Sequence, residues 1–260
     1  MKAEVSRIVA AASAVAALGL ATACGGGGGS DGSGGDGGGE RAKRASRATS
    51  AATADPQEPA AGGALTKDLL EKAALADGDV DGFTVRKMAA SDIVEDSVPA
   101  KPAACQPVAD MAVFTSDPAA QASVGRNLTA EGERDASLAL SLVLLSYEEG
   151  GAEEVLAGLR TAIGKCTEYE HVGYRHTGVG RRTAPGLGDE AVAYGFTASI
   201  EGAKVPTTFT VVRSGTTIAS FMAMDMLNGD TLKVPSEVVE TQLEKLEKLE
   251  KLEKTGKPTG

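Results

Sequence analysis

The side chains able to do chemistry are few: three cysteines, Cys24, Cys105 and Cys166, and two histidines, His171 and His176. The sequence has no HExxH helix for zinc, no CxxC pair and no GxSxG nucleophile elbow. If His171 and His176 share one strand, positions five apart face opposite sides. On a helix they stand about 140° apart, so neither geometry favours a two-histidine metal site. A Ser-His-Asp triad assembles only in space and leaves no spacing to read. With both histidines expected to be exposed on one polar strand, an envelope hydrolase is the alternative reading and no catalytic residue is assigned. The carboxylates Asp189 and Glu190 are a poor acid–base pair, because neighbours on a strand point to opposite faces. No cofactor motif and no metal ligand set is present, so neither group is expected.

One basic cluster remains: Arg175, His176, Arg181 and Arg182. Its plain reading is a charged strand edge that discourages pairing. Its functional reading is an anion-binding lip for a phosphate-bearing envelope component.

Cys24 has the strongest context. Lys2 and Arg7 precede an apolar run from Ile8 to Leu20, and Ala21, Thr22 and Ala23 lead to the cysteine. That three-part layout is an export signal, too short to be a spanning helix. The end, LATAC, is similar to a bacterial lipobox, with Leu20 one position early. Such a box implies cleavage before Cys24, a diacylglyceryl thioether on its sulfur and an acyl chain such as palmitate on the new amine. Two or three chains anchor stably where one does not. An ordinary signal peptide that leaves a free cysteine is the alternative.

Residues 25–39 contain eleven glycines, and residues 40–64 show no hydrophobic period. This composition reads as a tether with an r.m.s. span of about 35 Å for some forty residues. A phosphate cradle would need a strand before it and a GK[ST] after it, and neither is there. The organisation expected is a signal peptide over 1–23, lipidated Cys24 and linker over 24–64, an exported domain over 65–247, and a charged helical extension and tail over 248–260.

Charge supports that division. The formal net charge is −10, from 26 Lys+Arg and 36 Asp+Glu, and it falls wholly beyond residue 65. An acidic domain is not a general nucleic-acid binder. All nine Phe and Tyr lie between Phe83 and Phe221, which marks the core. No apolar stretch reaches the roughly 18–20 residues that a spanning helix needs.

Within the domain, Thr66 caps a helix over 67–76, and residues 82–88 read as a strand. A helix starts at Pro102 and contains Cys105. Strands follow over 120–130 and 136–147, then a helix from Gly150 to Lys165. Alternation over 192–200, 205–211 and 216–224, with turns at Glu201-Gly202 and Ser214-Gly215, specifies an antiparallel meander. The segment Gly186–Asp189 makes the turn before the first of these strands. From Val234 a helix runs into the Leu-Glu-Lys repeat. Its leucines step by three and spiral, so the first turns should pack and the rest project, open to a partner helix. The fold class expected is α+β: an antiparallel sheet of five to six strands with helices packed on it. An exported compartment permits a Cys105–Cys166 disulfide. A metal pair or a reactive thiol would need ligands or charges that neither cysteine has nearby.

These features together resemble a group of actinobacterial surface lipoproteins related to the extracellular sensor domain of protein kinase H-type Ser/Thr kinases. The matching segments are Pro102–Cys105, Cys166 at the close of the second helix, Pro185–Tyr194, the hairpin Val211–Ser220 and VVETQLEKL from Val238. The resemblance spans about 65–247. It implies an antiparallel sheet with helices, a disulfide and a ligand cleft. This chain has no kinase domain and only one possible disulfide, so signalling through a kinase on the same chain is not expected. The function expected is a non-enzymatic, lipid-anchored envelope protein on the outer face of the cell membrane. It would bind a small ligand, a lipid or an envelope protein.

Overall fold

The computed structural model describes residues 63–94, 96–132, 138–225 and 233–254. These all fall within one contact unit, residues 54–260. Cys24, the signal segment and most of the linker lie outside the described residues.

The elements follow the chain as α1 (Lys67–Ala73), β1 (Phe83–Lys87), α2 (Gln106–Ala112), β2 (Ala122–Ala130), β3 (Leu138–Ser146), α3 (Gly151–Ile163), β4 (Glu168–His171), β5 (Tyr174–Arg182), β6 (Glu190–Ile200), β7 (Ala203–Ser214), β8 (Thr217–Asp225) and α4 (Ser236–Lys254). Short 3-10 turns at Ala90–Asp92 and Ala103–Cys105 complete the set, the second leading into α2. Pro107 sits in the first turn of α2, where its missing N–H costs nothing. The class is α+β with a single antiparallel sheet and one disulfide.

The sheet has eight strands, in the order β1-β2-β3-β8-β7-β6-β5-β4. This corrects the expected five to six. The additional strands are β4 and β5, which form an edge hairpin. β4 has four residues, and β5 carries Gly178 and Gly180 amid charged positions. Short edge strands with glycine and charge carry little apolar alternation, so they were hidden in the pattern.

The meander is as expected except at its second turn. The β7–β8 turn is Gly215-Thr216, because Ser214 pairs with Thr217. Gly215 takes φ +55°, as the first central position of a tight hairpin turn of mirror-image type requires. Gly188 makes the bend before β6 at φ +66°, where an added Cβ would come within 2.5 Å of the Arg213 carbonyl oxygen.

Successive residues alternate between two cores. On one face α2 and α3 cover Val143, Leu145, Val192, Tyr194, Phe196, Phe209 and Val211. On the other, α1 and α4 cover Leu140, Leu142, Leu144, Val212, Ala219 and Phe221. In α4, Val238, Val239, Leu243, Leu246 and Leu249 are all buried. Packing therefore continues past the boundary expected at 247. At roughly 100° per residue these positions stay within about 140° of arc, so the spiral is too short to leave the apolar stripe.

Gln242 bridges α4 to α1. Its Oε1 accepts from the Leu75 amide at 3.0 Å, and its Nε2 donates to the Ala73 carbonyl at 2.8 Å. On the same face the buried Arg126 donates to the carbonyls of Leu75 and Gly125 and to Glu71 Oε2, at 2.8, 2.9 and 2.8 Å.

Candidate functional site

The residues singled out for chemistry gather mostly on one side of the sheet, between the end of α3 and β5. Cys105 and Cys166 form a disulfide with Cα atoms 5.2 Å apart, spanning 61 residues. Both are buried, and the bond ties the start of α2 to the end of α3.

The two histidines are not exposed, which corrects the expectation: His171 is 3% and His176 is 9% accessible. Nor do they share one strand. Val172 and Gly173, at φ +49° and +80°, make a two-residue turn that folds β5 back on β4. Both central residues have positive φ, the geometry that matches strand twist. Tyr169 and His171 on β4, and Tyr174 and His176 on β5, then lie on the face that α2 and α3 cover. The hairpin turns five-residue separation into proximity.

His171 Nε2 lies 3.1 Å from the Val98 carbonyl. A carbonyl only accepts, so this nitrogen carries the proton and donates. His176 stacks on Tyr169 with centroids 4.3 Å apart and meets the edge of Phe196 at 5.1 Å. Its Nδ1 is buried without a hydrogen-bond partner. Burial first, and then the neighbouring His171, push its pKa below the ordinary value. It is a neutral imidazole acting as an aromatic plate.

Further into this face, the hydroxyls of Tyr169 and Tyr194 and Ser220 Oγ are likewise buried without partners. Burial raises both phenol pKa values. Tyr147, by contrast, shares a 2.8 Å hydrogen bond with Ser116, and burial still pushes it up to about 12. None of these phenols ionises near neutral pH.

The segment over the hairpin is held by polar side chains. Buried Asp110 accepts from Ser97 Oγ at 2.6 Å and from Gln106 Nε2 at 2.8 Å. Gln106 also donates to the Val98 carbonyl and accepts from the Ala100 amide. Lys101 and Glu170 exchange backbone hydrogen bonds of 3.0 and 2.8 Å. That bridge blocks the outer edge of β4 against a further strand. On the opposite edge of the sheet, Asp77 accepts from the Val85 amide of β1 at 2.9 Å.

The basic cluster does not converge. Arg181 pairs opposite Tyr194 and donates to the Arg160 carbonyl of α3, so it shares the α2/α3 side with His176. Arg182 is opposite Ala193 and Arg175 is opposite Ser199, which sends both to the other side. Arg175 is paired with Glu168 at 2.8 Å. Asp189 and Glu190 are both bound to Arg213, which also meets Glu153 at 3.0 Å, and Glu190 pairs in addition with Arg160. These carboxylates serve an ion network where β7 ends.

The residues that composition and motif missed are apolar. Val98, Val172, Tyr174 and Ile200 are the exposed large hydrophobic side chains among the described residues. All four belong to one corner. Val98 lies over His171, Val172 is in the β4–β5 turn, and Tyr174 starts β5. Ile200, one position beyond the Arg175–Ser199 pair, stands across from Tyr174. The available signal was an apolar residue at each hairpin end, Val172 inside the Val172-Gly173 turn and Ile200 just before Glu201-Gly202, where polar residues are usual.

No protein-family model matches the chain. No curated protein matches it either. It is similar to the solved extracellular domain of PknH from Mycobacterium tuberculosis, at 9% identity and a TM-score of 0.47, over 73% of this chain and 99% of that one. It is also similar to an uncharacterized protein of Mycobacterium smegmatis at 16% identity and a TM-score of 0.38, over 73% and 97% of the two chains. LpqN of Mycobacterium tuberculosis, described as involved in cell envelope biogenesis, follows at 15% identity and a TM-score of 0.26, over 65% and 86%. The first of these is an extracellular domain of the kinase group that the sequence resembles.

Proposed function

We propose that this chain is a non-enzymatic binding protein, exported and held at the outer face of the cell membrane by acyl groups on Cys24. One observation carries the non-enzymatic part: the residues with chemical potential are committed to the scaffold. Cys105 and Cys166 are bonded to each other. His171 serves the Val98 carbonyl and His176 serves a ring stack. Asp110 holds a loop, and Asp189 and Glu190 are both engaged by Arg213, Glu190 also by Arg160. What this arrangement offers is surface contact. The lipobox-like LATAC, the glycine-rich linker and the disulfide support export and anchoring.

The test uses the full chain expressed in a bacterium that processes lipoproteins. Wild type should partition into a detergent phase, and Cys24→Ser into the aqueous phase; equal partitioning would overturn the anchor. A fluorophosphonate serine-hydrolase probe should leave the folded protein unlabelled, and labelling would restore the hydrolase alternative. Organic extraction of the same protein, followed by mass spectrometry, separates a lipid carrier from a protein binder.

A further inference from the structure

We infer that the outer half of the β4–β5 hairpin, Glu168–Thr177, is a flap that acid opens, hinged at the bulge in β5 and driven by protonation of its two buried histidines. His171 and His176 are diagonal neighbours on the covered face, because Tyr169 pairs with His176 and His171 with Tyr174. His176 Nδ1 is buried without a partner, between the face of Tyr169 and the edge of Phe196. A proton added there has no acceptor while the flap is closed, and water supplies one only when the flap lifts. His171 differs: its Nε2 donates to the Val98 carbonyl whether the ring is neutral or charged. Burial, then repulsion from His171, disfavours the His176 cation, and the backbone of Tyr174 and Tyr169 offsets this in part.

Among the described residues, neither ring is ion-paired to a carboxylate. Glu168, Glu170 and Arg175 take the opposite face of the hairpin, where Arg175 is bound to Glu168. From β6 the rings meet Phe196 and Ala198. On α2, Asp110 is bound to Ser97 and to Gln106, which shares the Val98 carbonyl with His171. On α3, Arg160 pairs with Glu190, and its carbonyl accepts from Arg181. Lys101 and Lys165 are exposed.

The flap is jointed where such an opening would stop. Only Arg175, His176 and Thr177 pair with β6 before the register shifts. Gly178, at φ +69°, and Gly180 make the bulge, where the chain has most freedom to turn. Beyond it β5 pairs with β6 again from Gly180 to Arg182. The base of β4 is fixed by the Cys105–Cys166 disulfide and by the Val179 amide, which donates to the Thr167 carbonyl at 3.0 Å. On the outer side, the Lys101–Glu170 bridge and the His171 bond to Val98 must part. An exported domain meets the external pH directly, a clause that rests on the proposed localisation; the flap itself needs no anchor.

Amide exchange read by mass spectrometry tests this, on the full chain in detergent at about pH 7.5 and about pH 5, with the intrinsic pH dependence of exchange divided out. Opening returns His176 to its ordinary value of 6.5, so the open population should rise about tenfold per pH unit below it, until the lowered value of the closed flap is reached. Residues 168–177 should gain about tenfold or more, while β7 and β8 change by less than about twofold. His176→Phe keeps the ring stack and should remove the gain. Histidine NMR on the wild type needs no variant: the His176 ring should titrate below 6.5, in step with the amides of 168–177. Equal acceleration in every strand, the same gain in His176→Phe, a His176 midpoint at or above 6.5, or no gain at pH 5 would each overturn the proposal. Failure of the wild type to partition into detergent would remove the anchor and leave the exchange result standing.

Discussion

The two faces of the sheet bury similar amounts of chain by different means. Under α1 and α4 the core is mostly aliphatic, with Phe221 its one fully buried ring, and its long polar side chains, Arg126 and Gln242, reach backbone and carboxylate partners. Under α2 and α3 the core is aromatic and cross-linked. There Tyr169, Tyr194, His176 and Ser220 each bury a polar atom without a partner. An unpartnered buried polar atom costs about 1–3 kcal/mol, so the second face carries more of that cost than the first, where Thr217 Oγ1 is also buried without a partner. The disulfide lies on the costly face. The difference suggests a division of labour: one face stabilises, and the other holds the hairpin whose tip forms the exposed corner.

Cutting the disulfide should break the comparison most strongly. In the chain-entropy model, a loop of 61 residues gives about 4 kcal/mol. Cys105→Ser with Cys166→Ser should lower the denaturant midpoint by that scale. Amide exchange should speed up in β4 and β5 first, while β2 and β3 keep more of their protection. Equal loss across all strands would show that the two faces unfold as one.

The matching cut on the other face is Gln242→Leu. It removes two buried hydrogen bonds and leaves the Leu75 amide and Ala73 carbonyl without partners. The expected loss is about 2–4 kcal/mol in the same denaturant assay. A loss below about 0.5 kcal/mol would mean that α1 docks on α4 through its apolar side chains alone.

The face with the histidines should also be the one that senses acid. The His176 pKa is lowered from 6.5, so the unfolded chain takes up that proton more readily than the folded one. Its contribution to stability is complete above the unfolded pKa and is lost as pH falls through the range below it. The facing groups are Tyr169 stacked on the ring, Phe196 at its edge and His171 beside it. Thermal midpoints should fall between about pH 7 and pH 5. His176→Phe, which keeps the stack and removes the titration, should flatten that dependence. An unchanged slope would assign the acid sensitivity elsewhere.

The same contrast explains what the sequence made legible. The meander was readable because Val192, Tyr194 and Phe196 alternate against small residues and end at glycine turns. The helix α4 was readable from Val238 onward, although its register on the domain was not, since only packing decides how far a three-residue spiral stays buried. The β4–β5 hairpin was missed because its turn is Val172-Gly173, with a β-branched residue at positive φ. That conformation is strained for valine and is held by the tertiary context, which propensity does not contain. Missing the turn put the histidines on one exposed strand and hid the corner. The basic cluster splits because the strand neighbours Arg181 and Arg182 point to opposite faces, and the register shift between Thr177 and Gly180 puts Arg175 on the face of Arg182.

The smallest effect should have the opposite sign. Tyr194 is fully buried, and its ring stacks on Phe209 at a centroid distance of 4.9 Å. Its hydroxyl has no partner, so Tyr194→Phe keeps the packing and removes a desolvated group. The variant should be more stable by about 1 kcal/mol, where most buried substitutions destabilise. Tyr147→Phe is the internal control: its hydroxyl is bonded to Ser116 at 2.8 Å, so the same deletion should cost stability. If both variants lose stability alike, the Tyr194 hydroxyl is satisfied in solution, and the contrast between the two faces reduces to aromatic against aliphatic packing.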